Sequence, residues 1–209
     1  TAAPIRQVVH PVDKNQKRHL LAHLLRQRGS EQALVFTRTK RGANRLAEQL
    51  GKAGIDAAAI HGNKSQSQRV RALTAFKQGR SQVLVATDIA QRGLDVEGIT
   101  HVVNYNVPLD PEDYVHRIGR TARAGAEGVA VSFCAGDERG LLQQIERLIN
   151  LKIAVEPTID GFEPTDPIGH PRRNGSAFGG AKRKSGTKSR RYRAKTETTR
   201  SDGERPRRG

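Results

Sequence analysis

Tryptophan and methionine are missing from this 209-residue chain, cysteine occurs once, and aromatic residues make up only 4%. A single cysteine allows no internal disulfide, which suits a reducing, cytoplasmic setting. Cys134 lies in the apolar run VAVSFC and reads as a buried small residue rather than a nucleophile. No segment approaches the roughly 20 apolar residues of a membrane span, and no signal peptide is recognisable, so no membrane partner is expected. The lack of methionine extends to position 1, and we therefore expect a piece of a longer or processed product. Also missing is a G-x-x-x-x-G-K-[ST] segment, the glycine-rich cradle for nucleotide phosphates. Gly186-Thr187-Lys188-Ser189 is a superficial echo, without the upstream glycine, strand or helix.

Acids are the other scarce class: 21 Asp and Glu face 37 Lys and Arg, a formal net charge of +16. Such an excess points to a polyanionic partner, nucleic acid foremost, because phosphate contacts by Lys and Arg gain affinity through counterion release. The excess is uneven. Residues 1–160 hold 23 basic against 16 acidic side chains and nearly all the aliphatic runs, so they can bury a core. Residues 161–209 hold 14 against 5, interspersed with Gly, Ser, Thr and Pro. That segment cannot offset its chain entropy by apolar burial and is expected to be a disordered basic tail that binds nucleic acid. A merely solubilising tail is the alternative.

Within residues 1–160, short β-branched runs alternate with helix-period segments, the pattern of a doubly wound, mostly parallel α/β domain. Strands are expected at 32–37, 56–60, 83–86, 100–105 and 128–134. Helices are expected at 13–27, at 40–53 with Ala43, Leu46, Ala47 and Leu50 on one stripe, and at 66–78 with Val70, Leu73 and Phe76 inward. Gly79 should cap that last helix in the left-handed region. Asp110-Pro111 opens a further helix, and 137–150 should turn Leu141, Leu142, Ile145, Leu148 and Ile149 to the core. Ligands of such folds gather at the carboxyl ends of the strands, which directs attention to the residues just after each one.

His116 to Arg123 reads HRIGRTAR, three arginines and a histidine in eight residues. Arginine's fixed fork matches phosphate oxygens, so a cluster of this density fits charge stabilisation at a phosphoryl group; a salt-bridged surface helix is the alternative. The octet resembles motif VI of the DEAD-box RNA helicases, which usually reads HRIGRTGR, at seven of eight positions. Ala86 to Asp95 (ATDIAQRGLD), directly after VLVA, resembles motif V of that family. Leu34 to Lys40 (LVFTRTK), with His61-Gly62 and Gln66-Ser67-Gln68-Arg69, resembles motif IV and the QxxR element. The resemblance covers Ile5 to about Ile153. The wording of IRQVVHPVD, VFTRTKRGANRLAEQL and AIHGNKSQ is similar to the RhlE-type bacterial members.

The resemblance implies the C-terminal RecA-like half of an ATP-dependent RNA helicase. It implies that Arg120 and Arg123 reach the γ-phosphate of ATP, with Arg123 as the arginine finger, and that Asp95 accepts hydrogen bonds from the ribose hydroxyls. His116 would couple this half to the partner half's acidic motif, or serve as a satisfied interface histidine. Arg92 and Arg117 would either touch the ligand or hold the motif loops. Thr87, Gly62 and Arg69, with Arg38 and Gly93 as weaker members, would grip RNA phosphates without reading sequence; Gly93 is equally a tight-turn glycine. The nucleotide is ATP, with its Mg²⁺ held by an N-terminal RecA-like domain that this sequence does not contain, and no metal site is expected here. The family's Asp-Glu-Ala-Asp sequence is also absent, so the chain alone should not hydrolyse ATP. Two other readings stand beside this one: a stand-alone, non-enzymatic RNA-binding module, and a DNA translocase domain. Two departures from the family pattern are Gln91, where a small residue is usual, and Ala122, where glycine is usual. We expect a helical conformation at Ala122, in which alanine is harmless.

Overall fold

The computed structural model describes residues 5–27, 32–91, 99–122 and 127–156. In chain order these form β1 (Ile5–Pro11), α1 (Lys17–Gln27), β2 (Ala33–Phe36), α2 (Lys40–Lys52), β3 (Ala57–Ile60), α3 (Gln66–Lys77), β4 (Val83–Ala86) and α4 (Asp88–Gln91). There follow β5 (His101–Asn104), α5 (Pro111–Ile118), β6 (Gly128–Cys134), α6 (Arg139–Ile149) and β7 (Ala154–Val155). The strands pair in parallel throughout, in the order β3-β4-β2-β5-β6-β1-β7. The expected 160/161 boundary and the basic tail lie outside the described residues.

Every residue of β2, β4 and β5 is buried, which is why β2 and β4 read as unbroken apolar runs rather than alternating ones; β5 buries His101 and Asn104 on either side of two valines. Alternate side chains nevertheless serve opposite faces. Val35, Val83, Val85, Val103 and Val131 pack on one side with Leu21 and Leu25 of α1 and Leu46 and Leu50 of α2. Leu34, Phe36, Leu84 and Val102 pack on the other with Phe76 and Ala90, and beside them Val9 and Ala130 meet Tyr114, Ile118 and Ile145. Helices therefore cover both faces, α1 and α2 on one, α3 to α6 on the other.

Local chemistry sets the helix ends. Thr39 caps α2 by accepting the Gly42 N–H, and the four expected stripe residues of that helix are all buried. Ser65 and Gln68 form a reciprocal capping box on α3, and Gly79 beyond its end takes φ +70°, the left-handed conformation expected there. Asp110 accepts the Glu112 N–H, with Pro111 at the first position of α5.

The structure differs from the expectation at several points. The described residues form seven strands, not five. β1 was hidden because its sequence, IRQVVHP, mixes polar and apolar residues without regular alternation, and the two-residue β7 is too short to carry a pattern. Val70 is 51% exposed: α3 covers the edge of the sheet, where β3 offers only alanines and one isoleucine, so Phe76 alone is fully buried. Leu148 is 50% exposed, and of the α6 residues only Ile145 is buried. The expected 137–150 helix begins as a 3-10 turn, Gly136–Glu138, and α1 starts at Lys17 rather than Asp13.

Ala122 is the clearest correction. α5 ends at Ile118, with Gly119 as its C-cap, and Ala122 adopts φ 56° rather than a helical value. Side-chain crowding in this region costs an alanine about 1 kcal/mol or more that a glycine avoids. The turn lies directly on the start of β6. A Cβ on Gly128 would sit 2.7 Å from the Ala122 backbone nitrogen and 2.6 Å from Thr121 Oγ1, so only glycine fits there. Replacing Ala122 with glycine should therefore raise the unfolding free energy by about 1 kcal/mol, visible as a higher urea midpoint at unchanged slope.

Candidate functional site

Strand register assembles the carboxyl edge. Phe36 of β2 and Ile60 of β3 both align with Ala86 of β4, so Thr37, His61 and Thr87 follow as a row, and Arg38, Gly62 and Asp88 come one residue later. Thr87 is buried, and its hydroxyl has no hydrogen-bond partner among the described residues. A buried polar atom in that state is uncommon and marks a place where a ligand or local opening would supply the bond. His61 Nδ1 accepts the Asn63 N–H at 3.3 Å, which leaves Nε2–H to donate to Asn44 Oδ1 at 2.9 Å. Burial, then the charges of Lys64 and Lys40, hold the His61 pKa below its ordinary value, and the neutral ring fixes the corner at Gly62. Lys40 Nζ donates to Asn63 Oδ1 at 2.8 Å and stands 3.7 Å from where a Cβ on Gly62 would be. Arg69 is half-buried in the first turns of α3, just beyond this corner. Of the four described candidates for phosphate contact, Arg38, Gly62 and Thr87 thus come from the ends of three adjacent strands, and Arg69 from the helix that follows β3.

The motif VI segment lies along α5 and the turn after it. Arg117, 1% exposed, is its anchor. Its Nε and Nη2 donate to the two carboxylate oxygens of Asp88 at 2.6 and 2.8 Å, and Nη1 donates to Asn104 Oδ1 at 3.0 Å and the Asn106 carbonyl at 2.8 Å. The guanidinium also stacks over Phe36, 5.0 Å from the ring centre. With four N–H donors engaged, Arg117 joins the motif V segment to the motif VI helix, the loop-holding alternative of the two set out above. His116 on the same helix is exposed and Arg120 half-buried. Thr121 Oγ1 donates to the carbonyls of Ile99 and Thr100 at 2.6 and 3.0 Å, fixing the turn against the entry to β5. Arg123, Asp95, Gly93 and Arg92 lie outside the described residues.

Sequence reasoning missed a buried ionic cluster. Lys17, 1% exposed, donates to the carbonyls of Tyr105 and Phe133 at 2.9 Å each and to Glu138 Oε2 at 2.5 Å. Glu138 also accepts the Ala135 N–H at 3.0 Å and Arg38 Nη2 at 3.3 Å. Desolvation, opposed by the Glu138 hydrogen bond, lowers the Lys17 pKa. The cluster ties α1 to the ends of β5 and β6 and holds the Arg38 side chain at the carboxyl edge. No periodic pattern flags three residues so far apart; the only signal was a lysine at the inward edge of a helix start.

Removing one member of a buried pair leaves an uncompensated charge. Glu138→Gln should therefore lower the unfolding free energy by about 3 kcal/mol, while Lys17→Met combined with Glu138→Leu should recover most of that loss; chemical denaturation of the three proteins checks both. A second expectation concerns pH. His10 is 3% exposed and burial lowers its pKa despite the bond to the Glu156 carbonyl, as burial does for His61. Both rings bind protons more readily when unfolded. Stability is then fully present above an unfolded pKa of about 6.5 and falls as the pH drops through it. The urea midpoint should decrease between pH 7.5 and 5.5, and less so in His10→Asn.

The helicase conserved C-terminal domain family matches residues 16–125. The DEAD-box ATP-dependent RNA helicase CshA of Bacillus subtilis is 47% identical over 162 residues, 77% of this chain and 33% of that protein. The chain spans about a third of the length of the curated relatives it matches. Among solved structures, the Escherichia coli DEAD-box protein SrmB bound to RraA superposes with a TM-score of 0.73 at 36% identity, covering 80% of this chain and 99% of that one. Saccharomyces cerevisiae Dbp5 bound to RNA and ADP BeF3 superposes at 0.68 with 31% identity, covering 73% of this chain and 41% of that one. The seven-stranded parallel sheet is the RecA-like fold those proteins share. With more than half its length inside the helicase C-terminal model, the chain belongs to the DEAD-box RNA helicases, as their conserved C-terminal domain.

Proposed function

We propose that this chain supplies the second half of an ATP-driven, sequence-nonspecific RNA-unwinding site, and that ATP hydrolysis requires an N-terminal RecA-like domain bearing the P-loop, the acidic motif and Mg²⁺. The observation that carries this reading is the Arg117–Asp88 pair, which welds the motif VI helix to the motif V segment that contains Thr87. A ligand gripped at either segment then bears on the other. In this reading Arg123 is the arginine finger, Arg120 a second γ-phosphate contact, Asp95 the ribose acceptor and His116 the link to the partner half. Thr87, Gly62, Arg69, Arg38 and Gly93 hold the RNA backbone at the carboxyl edge.

ATP and RNA each bind both halves, so together they favour the closed arrangement through differential affinity, and release reopens it. Arginine stabilises the charge that develops on the transferred phosphoryl oxygens; the strand, held at successive phosphates, bends away from a duplex partner. We further read residues 161–209 as an RNA tether, the RhlE-type wording of the sequence as the subfamily, and the cytoplasm as the location. Among the described residues no helix is long and apolar enough to cross a membrane.

The test joins this chain to a DEAD-box N-terminal half and measures RNA-dependent ATPase. Arg123→Ala should reduce turnover by about 10³-fold or more with RNA affinity retained. Unchanged turnover would remove the finger from Arg123, and stimulation by DNA as strong as by RNA would favour a translocase.

A further inference from the structure

We propose that the groove between α1 and α2 is a second track for the RNA backbone, continuing the strand path from the carboxyl edge of the sheet down its flank; the inference rests on the RNA-helicase reading above. The two helices follow parallel strands and so run side by side in the same direction, their starts at the carboxyl edge. α1 reads KRHLLAHLLRQ and contains no acid. α2 reads KRGANRLAEQLGK, and its one acid, Glu48, is paired with Lys52 at 2.6 Å. Among the described residues no carboxylate pairs with Arg18, Arg26, Arg41 or Arg45.

Between the helices lies a cavity of about 240 Å³ walled by Arg18, Arg26, Gln49 and Lys52 over a floor of Ala22 and Leu50. Arg18 of the wall and Arg45, one helical turn before Gln49 on α2, both act through their charges on the Tyr105 hydroxyl. At its lower end Arg26 is fixed by a 2.9 Å bond to the Ala53 carbonyl, which closes the end of α2. The groove is thus preformed, apolar below and cationic at its rims. Its upper end points toward the start of α2, which closely follows Arg38, one of the candidates already placed at the strand ends.

Length argues for a polymer over a small anion. The 13 residues of α2 span about 20 Å at 1.5 Å per residue, room for several successive phosphates. Continuity with the carboxyl edge favours nucleic acid over an acidic polypeptide, because one strand can occupy both sites.

The test uses the whole chain and a fluorescein-labelled oligouridylate of about 20 nucleotides, titrated over a range of salt. Arg18→Gln with Arg45→Gln removes two phosphate contacts. The slope of log affinity against log salt should flatten by about 1.4, from 0.7 per contact on a single strand, with weaker binding at low salt. Arg18→Lys with Arg45→Lys should keep the slope, since charge and not fork geometry is at stake. An unchanged slope in the Gln pair overturns the track, as does poly-glutamate displacing the oligonucleotide only when Arg18 and Arg45 are intact, which would make the groove a polypeptide site. The helicase reading fails separately: joined to an N-terminal half, an unsubstituted chain whose ATPase is blind to RNA sinks the function and not the groove measurement.

Discussion

A buried guanidinium organises this domain. Arg117 reaches from α5 across to Asp88 with two hydrogen bonds, to Asn104 and Asn106 at the end of β5, and over the Phe36 ring of β2. A charge so deep is tolerable only when paired and fully bonded. Bidentate geometry with Asp88 meets that demand and at the same time sets the angle between the motif V segment and the motif VI helix. Segments of β2, α4, β5 and α5 are thereby held together, with exposed His116 on the helix and half-buried Arg120 in the turn after it.

A second ionic centre performs the same service beside it, at the ends of β5 and β6. Lys17, Glu138 and the backbone carbonyls of Tyr105 and Phe133 knit α1 to β5 and β6, and Arg38 hangs from the free oxygen of Glu138. The ends of β4 and β3, which carry Thr87 and Gly62, lie to one side of both centres. Buried charge therefore frames one side of the site, while the strand ends beside it offer a hydroxyl, a glycine and backbone, a division that fits the proposed grip on phosphates. The strain at Ala122 sits outside this frame, where Thr121 holds the turn through bonds to Ile99 and Thr100.

Much of the architecture was legible in advance. The stripe Ala43, Leu46, Ala47 and Leu50 is buried as its spacing requires, Gly79 is left-handed, and Asp110-Pro111 opens α5. Errors arose where neighbours override the local pattern. Val70 has helical spacing with Phe76 but faces solvent because the edge strand below α3 is narrow, and Leu148 is exposed because no element among the described residues covers that side of α6. Ala122 was read as helical from its propensity, yet the close approach of Gly128 fixes a left-handed turn.

The sequence by itself determined the family, through HRIGRTAR, ATDIAQRGLD and LVFTRTK, the alternation that makes a doubly wound sheet, and the cationic character that calls for a polyanion. These are local or compositional properties, carried by residue order alone. Only the tertiary structure decided that Arg117 is a strut, that Glu138 serves Lys17 and Arg38, and that α1 and α2 flank an acid-poor groove. Each of those depends on which residues from distant segments are desolvated together, and the energy of a buried charge or a shared cavity exists only once the chain has closed around it.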